Sequence, residues 1–175
     1  MTYNFDEFYS EHKGLVYNLA LQYAQNVEDA EEIMQDVFLA AHQNLGGFRE
    51  DSSVKTWLYR ISINKSLDFL KAKSAQKRWT IFRSKRLDDV ENTFQPANFN
   101  HPGVELEQKE AMEKIFACIN KLPEQQKTAL ILLKIEQLPG REVAEIMQLS
   151  EKAVESLFSR AKKNLKEMLE QREGI

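Results

Sequence analysis

The chain holds one cysteine, Cys118, in 175 residues. A lone thiol excludes an internal disulfide and fits a reducing cytoplasm. It falls on the apolar stripe of an expected helix, where inert packing accounts for it. Six glycines and four prolines are few, and an all-β fold needs more such breakers at its turns. No apolar run approaches the roughly 18 residues of a membrane span. The N-terminal stretch MTYNFDEFYSEHK is acidic and lacks the basic start and apolar core of a secretory signal. Histidine is scarce too: His12, His42 and His101 lie far apart, with no His-x-x-x-His or Cys-His ligand pair. No glycine-rich phosphate loop or Gly-x-Ser-x-Gly elbow occurs. Glu28, Glu31, Glu32 and Asp36 have no Glu-x-x-His companion of the kind a di-iron bundle needs. These absences point away from catalysis, and no metal or cofactor is expected.

The net charge is only −3, but it is unevenly distributed. Residues 1–50 carry nine acidic and two basic side chains, whereas residues 51–86 carry ten basic and two acidic. Residues 87–125 are acidic again, and the remainder is nearly balanced. Such asymmetry suggests different partners for different segments.

Hydrophobic periodicity is helical throughout. Phe5, Phe8, His12, Leu15, Leu19 and Tyr23 recur at three-or-four spacing. A second helix starts near Val27, with acids in its first turns, where the helix dipole favours them. Its stripe is Ile33, Val37, Ala40 and Ala41, and Gly46-Gly47 stops it. A third begins at Ser52 or Ser53, good N-caps, and is expected to run to about Lys77. Residues 87–103 (LDDVENTFQPANFNHPG) show no period and have a linker composition. Periodicity resumes at Leu106 and runs to Ile119. The next helix is expected to hold Pro123 in its first turn and continue through Leu130, Leu133 and Leu138. Two more flank MQLS, at 141–148 and from Glu151 to about Glu170. The expected architecture is all-α. Two small helical domains, 1–78 and 105–175, are joined by a flexible linker at 79–104, and the second contains a helix-turn-helix.

Three surfaces could carry function. On the third helix Trp57, Arg60, Asn64 and Lys71 fall within an arc of roughly 60°. A ring, a guanidinium, an amide and an ammonium suit unstacked bases and phosphates; they also suit a solvated helix edge beside a half-buried tryptophan. In the C-terminal pair, Val143, Ala144 and Ile146–Met147 form an inner side, Leu149 plugs the turn and Ser150 caps the second helix. That helix buries Val154, Leu157, Phe158, Ala161, Leu165 and Met168. It presents Lys152, Ser156, Ser159, Arg160 and Lys163 within about 100° on the other face. Short hydroxyls allow close approach, and the cations reach bases and phosphates. A plain amphipathic hairpin would read the same way. The acidic second helix, finally, leaves Gln35, Asp36 and Phe38 at the edge of its stripe. That face is either solvated or a dock for a basic helical partner.

Taken in order, these pieces resemble a bacterial RNA polymerase sigma factor of the sigma-70 family, extracytoplasmic-function group. DAEEIMQDVFLAAHQNLGGFREDSSVKTWLYRISINKSLDFLK is similar to that family's region 2. LPEQQKTALILLKIEQLPGREVAEIMQLSEKAVESLFSRAKKNLKEML is similar to its region 4. The resemblance implies core RNA polymerase, promoter DNA and an anti-sigma factor as partners, acting in the cytoplasm. It implies that Asp29, Gln35, Asp36 and Phe38 lie at the polymerase dock. It further implies that the loop 46–53, with Phe48, Arg49, Ser52 and Ser53, captures an unstacked −10 base. Trp57, Arg60, Asn64 and Lys71 would then serve the −10 element, and the five polar residues of the last helix the −35 major groove. The alternatives are a stand-alone helix-turn-helix regulator and a helical interaction bundle. The charge partition and the linker together lead to one more expectation: the free chain binds duplex promoter DNA poorly and reads it only when held on polymerase.

Overall fold

Asn4 and Asn26 each start a helix by the same device. Asn4 Oδ1 accepts from the Asp6 amide at 3.1 Å, and Asn26 Oδ1 from the Asp29 amide at 2.9 Å. Each bond satisfies one orphan donor of a first turn. The first opens α1 (Phe5–Ala24) and the second α2 (Val27–Asn44). Gln25 separates them in the left-handed region, φ 63°, its amide bonded to Leu21 O at 2.8 Å. Ser53 Oγ accepts from the Thr56 amide at 3.0 Å and opens α3 (Val54–Ser84). The computed structural model describes residues 4–45, 53–84 and 106–173, with side chains for 4–45, 53–79 and 111–171. The 87–103 stretch, Gly46-Gly47, and Phe48, Arg49 and Ser52 therefore lie outside the described residues. α3 continues past its expected end near Lys77, because RWTIFRS contains no glycine or proline to stop it.

The second half begins with α4 (Leu106–Ile119) and α5 (Glu124–Leu130). Pro123 sits at the N-cap of α5 rather than inside its first turn, and its carbonyl accepts from the Lys127 amide at 2.9 Å. The helix expected through Leu138 does not form as one piece. It widens into a π-helical turn, Ile131–Ile135, and ends at Gln137, whose φ is 54°. The extra residue in that turn accommodates two adjacent, fully buried side chains, Ile131 and Leu132. The chain then folds back, so that Leu138 N reaches Leu132 O at 3.0 Å and its side chain joins the same core. α6 (Gly140–Met147) closes at Gln148 in the left-handed region. Leu149 plugs the turn, and Ser150 Oγ accepts from the Ala153 amide at 3.2 Å to start α7 (Glu151–Glu173). This is the expected helix-turn-helix.

Three apolar clusters hold the helices together. Phe8, Val16, Ile33, Val37, Phe38 and Leu58 anchor the first, among α1, α2 and α3. Phe116, Ile119, Leu122, Leu130 and Ala161 form another, among α4, α5 and α7. The remaining cluster spans both halves: Leu19, Tyr23, Tyr59 and Ile63 meet Ile131, Leu132, Leu138, Val143, Ala144, Ile146 and Val154. Each such aliphatic side chain contributes roughly 1.5–3 kcal/mol on burial, so the two helical units share a substantial core. Cys118 is fully buried, consistent with a packing role. Among the described residues no helix is long and apolar enough to cross a membrane.

Candidate functional site

The stripe on α3 divides in this structure: Trp57 packs on the first cluster, Arg60 reaches the second helical unit, and Asn64 and Lys71 are exposed. Arg60 Nη2 donates to Glu145 O at 2.7 Å and Arg60 Nε to Ile146 O at 3.3 Å. Those carbonyls belong to the last turn of α6, where a helix has no internal donors left and a guanidinium fits the partial negative charge. Arg60 and Asn64 line a cavity of about 330 Å³ whose opposite wall is Glu124, Gln125 and Thr128 of α5 with Met147 and Gln148. Lys71, farther along α3, pairs with Glu124 at 3.0 Å. Trp57 is half-buried against the first cluster. Ser53 is exposed at the α3 N-cap, bonded to Thr56 Oγ1 at 2.9 Å.

The acidic face of α2 divides into structural and free parts. Asp29 is largely occupied: its Oδ2 accepts from Asn26 Nδ2 at 2.8 Å and from Lys73 Nζ of α3. Phe38, expected at the rim of this face, is instead 5% exposed. Its ring lies 4.6 Å from that of Tyr9 and meets Phe5 and Phe8 edge-on at 6.4 and 6.3 Å. That expectation is corrected: a 100° step beyond Val37 keeps Phe38 over α1, where aromatic packing fixes it. Gln35 and Asp36 do remain exposed. The residue that sequence reasoning missed is Leu39, 59% exposed. Its signal was available, since it sits four after Gln35 and three after Asp36, off the Ile33–Val37–Ala41 stripe. Beside this face a groove of about 490 Å³ runs between α2 and α3, lined by Glu32, Asp36, Lys65, Asp68 and Phe69 among others.

On α7 the division is as the periodicity predicts. Val154 and Ala161 are buried, with Leu157, Phe158, Leu165 and Met168 partly so. Lys152, Ser156, Ser159, Arg160 and Lys163 are all exposed on the other side. Lys163 approaches Glu167 at 3.9 Å, an exposed pair one turn apart of negligible energetic weight. The structure thus brings these five residues together on an exposed face, whereas on the α3 stripe Asn64 and Lys71 are exposed and Trp57 and Arg60 partly buried.

Polar groups at the seam between the units have shifted acidities. Tyr23 Oη and Thr128 Oγ1 are 2.9 Å apart, and burial raises the Tyr23 phenol above its ordinary value. Tyr59 donates to Glu136 Oε2 at 3.1 Å; burial, then the neighbouring carboxylate, raises its phenol as well. Burial also raises the Glu136 carboxyl. Lys127, 4% exposed, lies 4.8 Å from the Tyr23 ring centroid and donates to Asn120 Oδ1. Burial pushes its ammonium down to about 8. No three His, Cys, Asp or Glu side chains converge as metal ligands among the described residues.

Comparison with known proteins assigns the family. Residues 8–76 match the family model Sigma-70 region 2, and residues 112–165 match Sigma-70, region 4. The chain is 30% identical to the RNA polymerase sigma factor NccH of Alcaligenes xylosoxydans, over 96% of this chain and 88% of that one. It is 28% identical to the RNA polymerase sigma-H factor of Pseudomonas aeruginosa, over 95% and 86% of the two chains. It is 27% identical to the ECF RNA polymerase sigma factor SigM of Mycobacterium tuberculosis, over 95% and 78%. Among solved structures, CnrH bound to the cytosolic domain of CnrY shares the fold at TM-score 0.64 and 21% identity, covering 95% and 88% of the chains. RpoE of Bartonella quintana, in complex with the anti-sigma factor NepR, does so at TM-score 0.62 and 20% identity, covering 95% and 97%. The two matched regions bracket the helices that carry the α3 stripe and the capped helix-turn-helix, and the chain belongs to the sigma-70 family of RNA polymerase sigma factors, in its extracytoplasmic-function group.

Proposed function

We propose that this sigma factor docks on core RNA polymerase through the exposed face of α2 and reads promoters with two surfaces. Gln35, Asp36 and Leu39 form the dock, an apolar side chain set among acid and amide groups that suits a basic helical partner. Asp29 supports it from behind, its carboxylate accepting from the capping Asn26 and pairing with Lys73. Phe38 holds α2 on α1 and makes no contact itself. At the −10 element, Phe48, Arg49, Ser52 and Ser53 would hold an unstacked base, and Trp57, Arg60, Asn64 and Lys71 the adjoining strand. At the −35 element, Lys152, Ser156, Ser159, Arg160 and Lys163 of α7 enter the major groove. The protein contributes recognition and strand separation in the cytoplasm, where the polymerase is, and the polymerase supplies the chemistry. An anti-sigma partner, the kind of protein found with the fold relative from Bartonella quintana, belongs to the same reading.

The observation that carries this assignment is the α7 face: five exposed hydroxyl and cationic side chains on one side of a helix whose start is fixed by Ser150. The test is transcription in vitro with core enzyme on a genomic promoter library, followed by permanganate mapping of the melted region. Specific transcripts that depend on the protein support the reading. Their absence, with core enzyme active on a control factor, would overturn the proposed reading surfaces.

A further inference from the structure

We infer that the protein carries a binding site for a small phosphate-bearing anion, in the cavity where α3 lies against the turn from α4 into α5. Inorganic phosphate, pyrophosphate and the diphosphate of a nucleotide share the chemistry it would recognise. The site stands on this cavity alone, and of the residues assigned above to promoter reading only Lys71 borders it.

The cavity measures about 260 Å³, below the roughly 300 Å³ at which pockets for drug-sized ligands begin, so its ligand is small. Lys71, Ser74 and Arg78 line one wall, brought onto a common face of α3 by spacings of three and four. Asn120, Glu124 and Lys127 line the other. Three cations thus meet a single carboxylate, and that carboxylate is engaged: Glu124 Oε1 lies 3.0 Å from Lys71 Nζ. Arg78 makes no ion pair or hydrogen bond among the described residues. Lys127 is the stronger sign. It is 4% exposed and has no ion pair among the described residues. Of its three donors one goes to Asn120 Oδ1, and the Tyr23 ring lies 4.8 Å away. An ammonium buried without a counter-ion is costly, and burial holds this one down at about 8. An oxyanion in the cavity supplies the missing charge. The neutral groups suit the same ligand. Asn120 keeps its Nδ2 as a donor while Lys127 takes its Oδ1, and Ser74 adds a hydroxyl. A guanidinium matches phosphate oxygens two at a time, and an ammonium attracts them as a point charge. A cleft with surplus charge of one sign also concentrates the opposite ion. Solvation accounts for Arg78, which is exposed, but not for Lys127, which is buried. Because α3 supplies one wall and α5 part of the other, a bound anion bridges them and stabilises the folded chain by mass action.

The test is calorimetric titration of the full chain with inorganic phosphate, pyrophosphate and adenosine diphosphate, without divalent cations and at an ionic strength fixed with chloride. We expect saturable binding of at least one of them at one site per chain. The thermal midpoint should rise by about 5–10 °C at a hundred times the Kd. Arg78→Ala and Lys127→Met, each shown to fold by circular dichroism, should weaken that binding about ten- to a hundredfold. Lys166→Ala removes an equal charge from the exposed face of α7, where it pairs with Glu170, and should leave binding unchanged. Tighter binding of pyrophosphate than of adenosine diphosphate identifies the free anion as the source, and the reverse identifies a nucleotide; either supports the site. No saturable binding at millimolar concentration overturns the proposal, as does an equal loss in Lys166→Ala and the two cavity variants. A short single-stranded oligonucleotide that displaces the anion, binds more tightly than it and loses affinity in the same two variants would assign the cavity to a nucleic-acid backbone, and would overturn the proposal too.

Discussion

Lys127 should make this protein more stable at mildly alkaline pH than at neutrality. Its ammonium is buried between α5 and the Tyr23 ring, and desolvation lowers its pKa from 10.5 to about 8. In the unfolded chain the group keeps its ordinary value. Between those two values the unfolded state binds the extra proton, so unfolding free energy rises with pH. Below about pH 8 both states are charged and the burial cost is carried in full, about 3 kcal/mol at 1.36 kcal/mol per unit. From pH 7 to about 9.5 roughly 2 kcal/mol of it is recovered. Above pH 10 the trend reverses. The phenols of Tyr23 and Tyr59 are raised in the folded protein, so there the unfolded chain releases protons that the folded one keeps, and stability falls.

The assay is urea unfolding at pH 7 and 9.5, followed by circular dichroism, for the natural protein and Lys127→Met. With a slope of ~2 kcal/mol per molar urea, the natural protein's midpoint should rise by roughly 1 M across that interval. The Met variant keeps the stem volume and removes the titration, so its midpoint should stay level. It forgoes the bond to Asn120, about 1 kcal/mol, and the ring contact, ~0.5–1 kcal/mol. At pH 7 it should therefore still be more stable by about 1 kcal/mol. Parallel behaviour of the two proteins would refute the reasoning, because it would mean that Lys127 is solvated and that the Tyr23 seam is not formed in solution.

Three further outcomes follow from where side chains lie. Phe38→Ala should cost about 3–5 kcal/mol of stability, as truncation of a buried aromatic does, seen as a lowered thermal midpoint; loss of polymerase binding at unchanged stability would restore Phe38 to the docking surface. Asp36→Arg with Gln35→Ala should weaken core association by about tenfold or more, worth 1.4 kcal/mol, at unaltered helix content; pull-down beside circular dichroism decides, and full binding makes this face merely solvated. Arg160→Ala should cost about 1–3 kcal/mol in binding a −35 duplex held on polymerase, read by fluorescence anisotropy, while leaving permanganate reactivity at the −10 region intact once saturated.

The helices were legible because their signals are local. Serine caps, a 3.6-residue period and the sparse glycines and prolines are all readable within a dozen residues, and the capped helix-turn-helix follows from them. Where the reading went astray, the deciding partner was far away in sequence. Nothing within residues 124–138 announces a π-helical turn; it exists because Ile131, Leu132 and Leu138 all pack on Tyr59, Ile63 and their neighbours. Phe38 looks like a rim residue on a helical wheel of α2 alone, and becomes core only when Phe5, Phe8 and Tyr9 arrive from α1. The α3 stripe is the most instructive case. A row of Trp, Arg, Asn and Lys reads on its helix alone as a surface for an outside partner. It cannot say that carbonyls of α6 and the carboxylate of Glu124 satisfy Arg60 and Lys71 in the free chain. A cation that suits a phosphate suits a helix C-terminus as well. A cation on a helix face takes an internal partner whenever the fold brings a carbonyl or carboxylate within reach, and such a contact is encoded by no single segment.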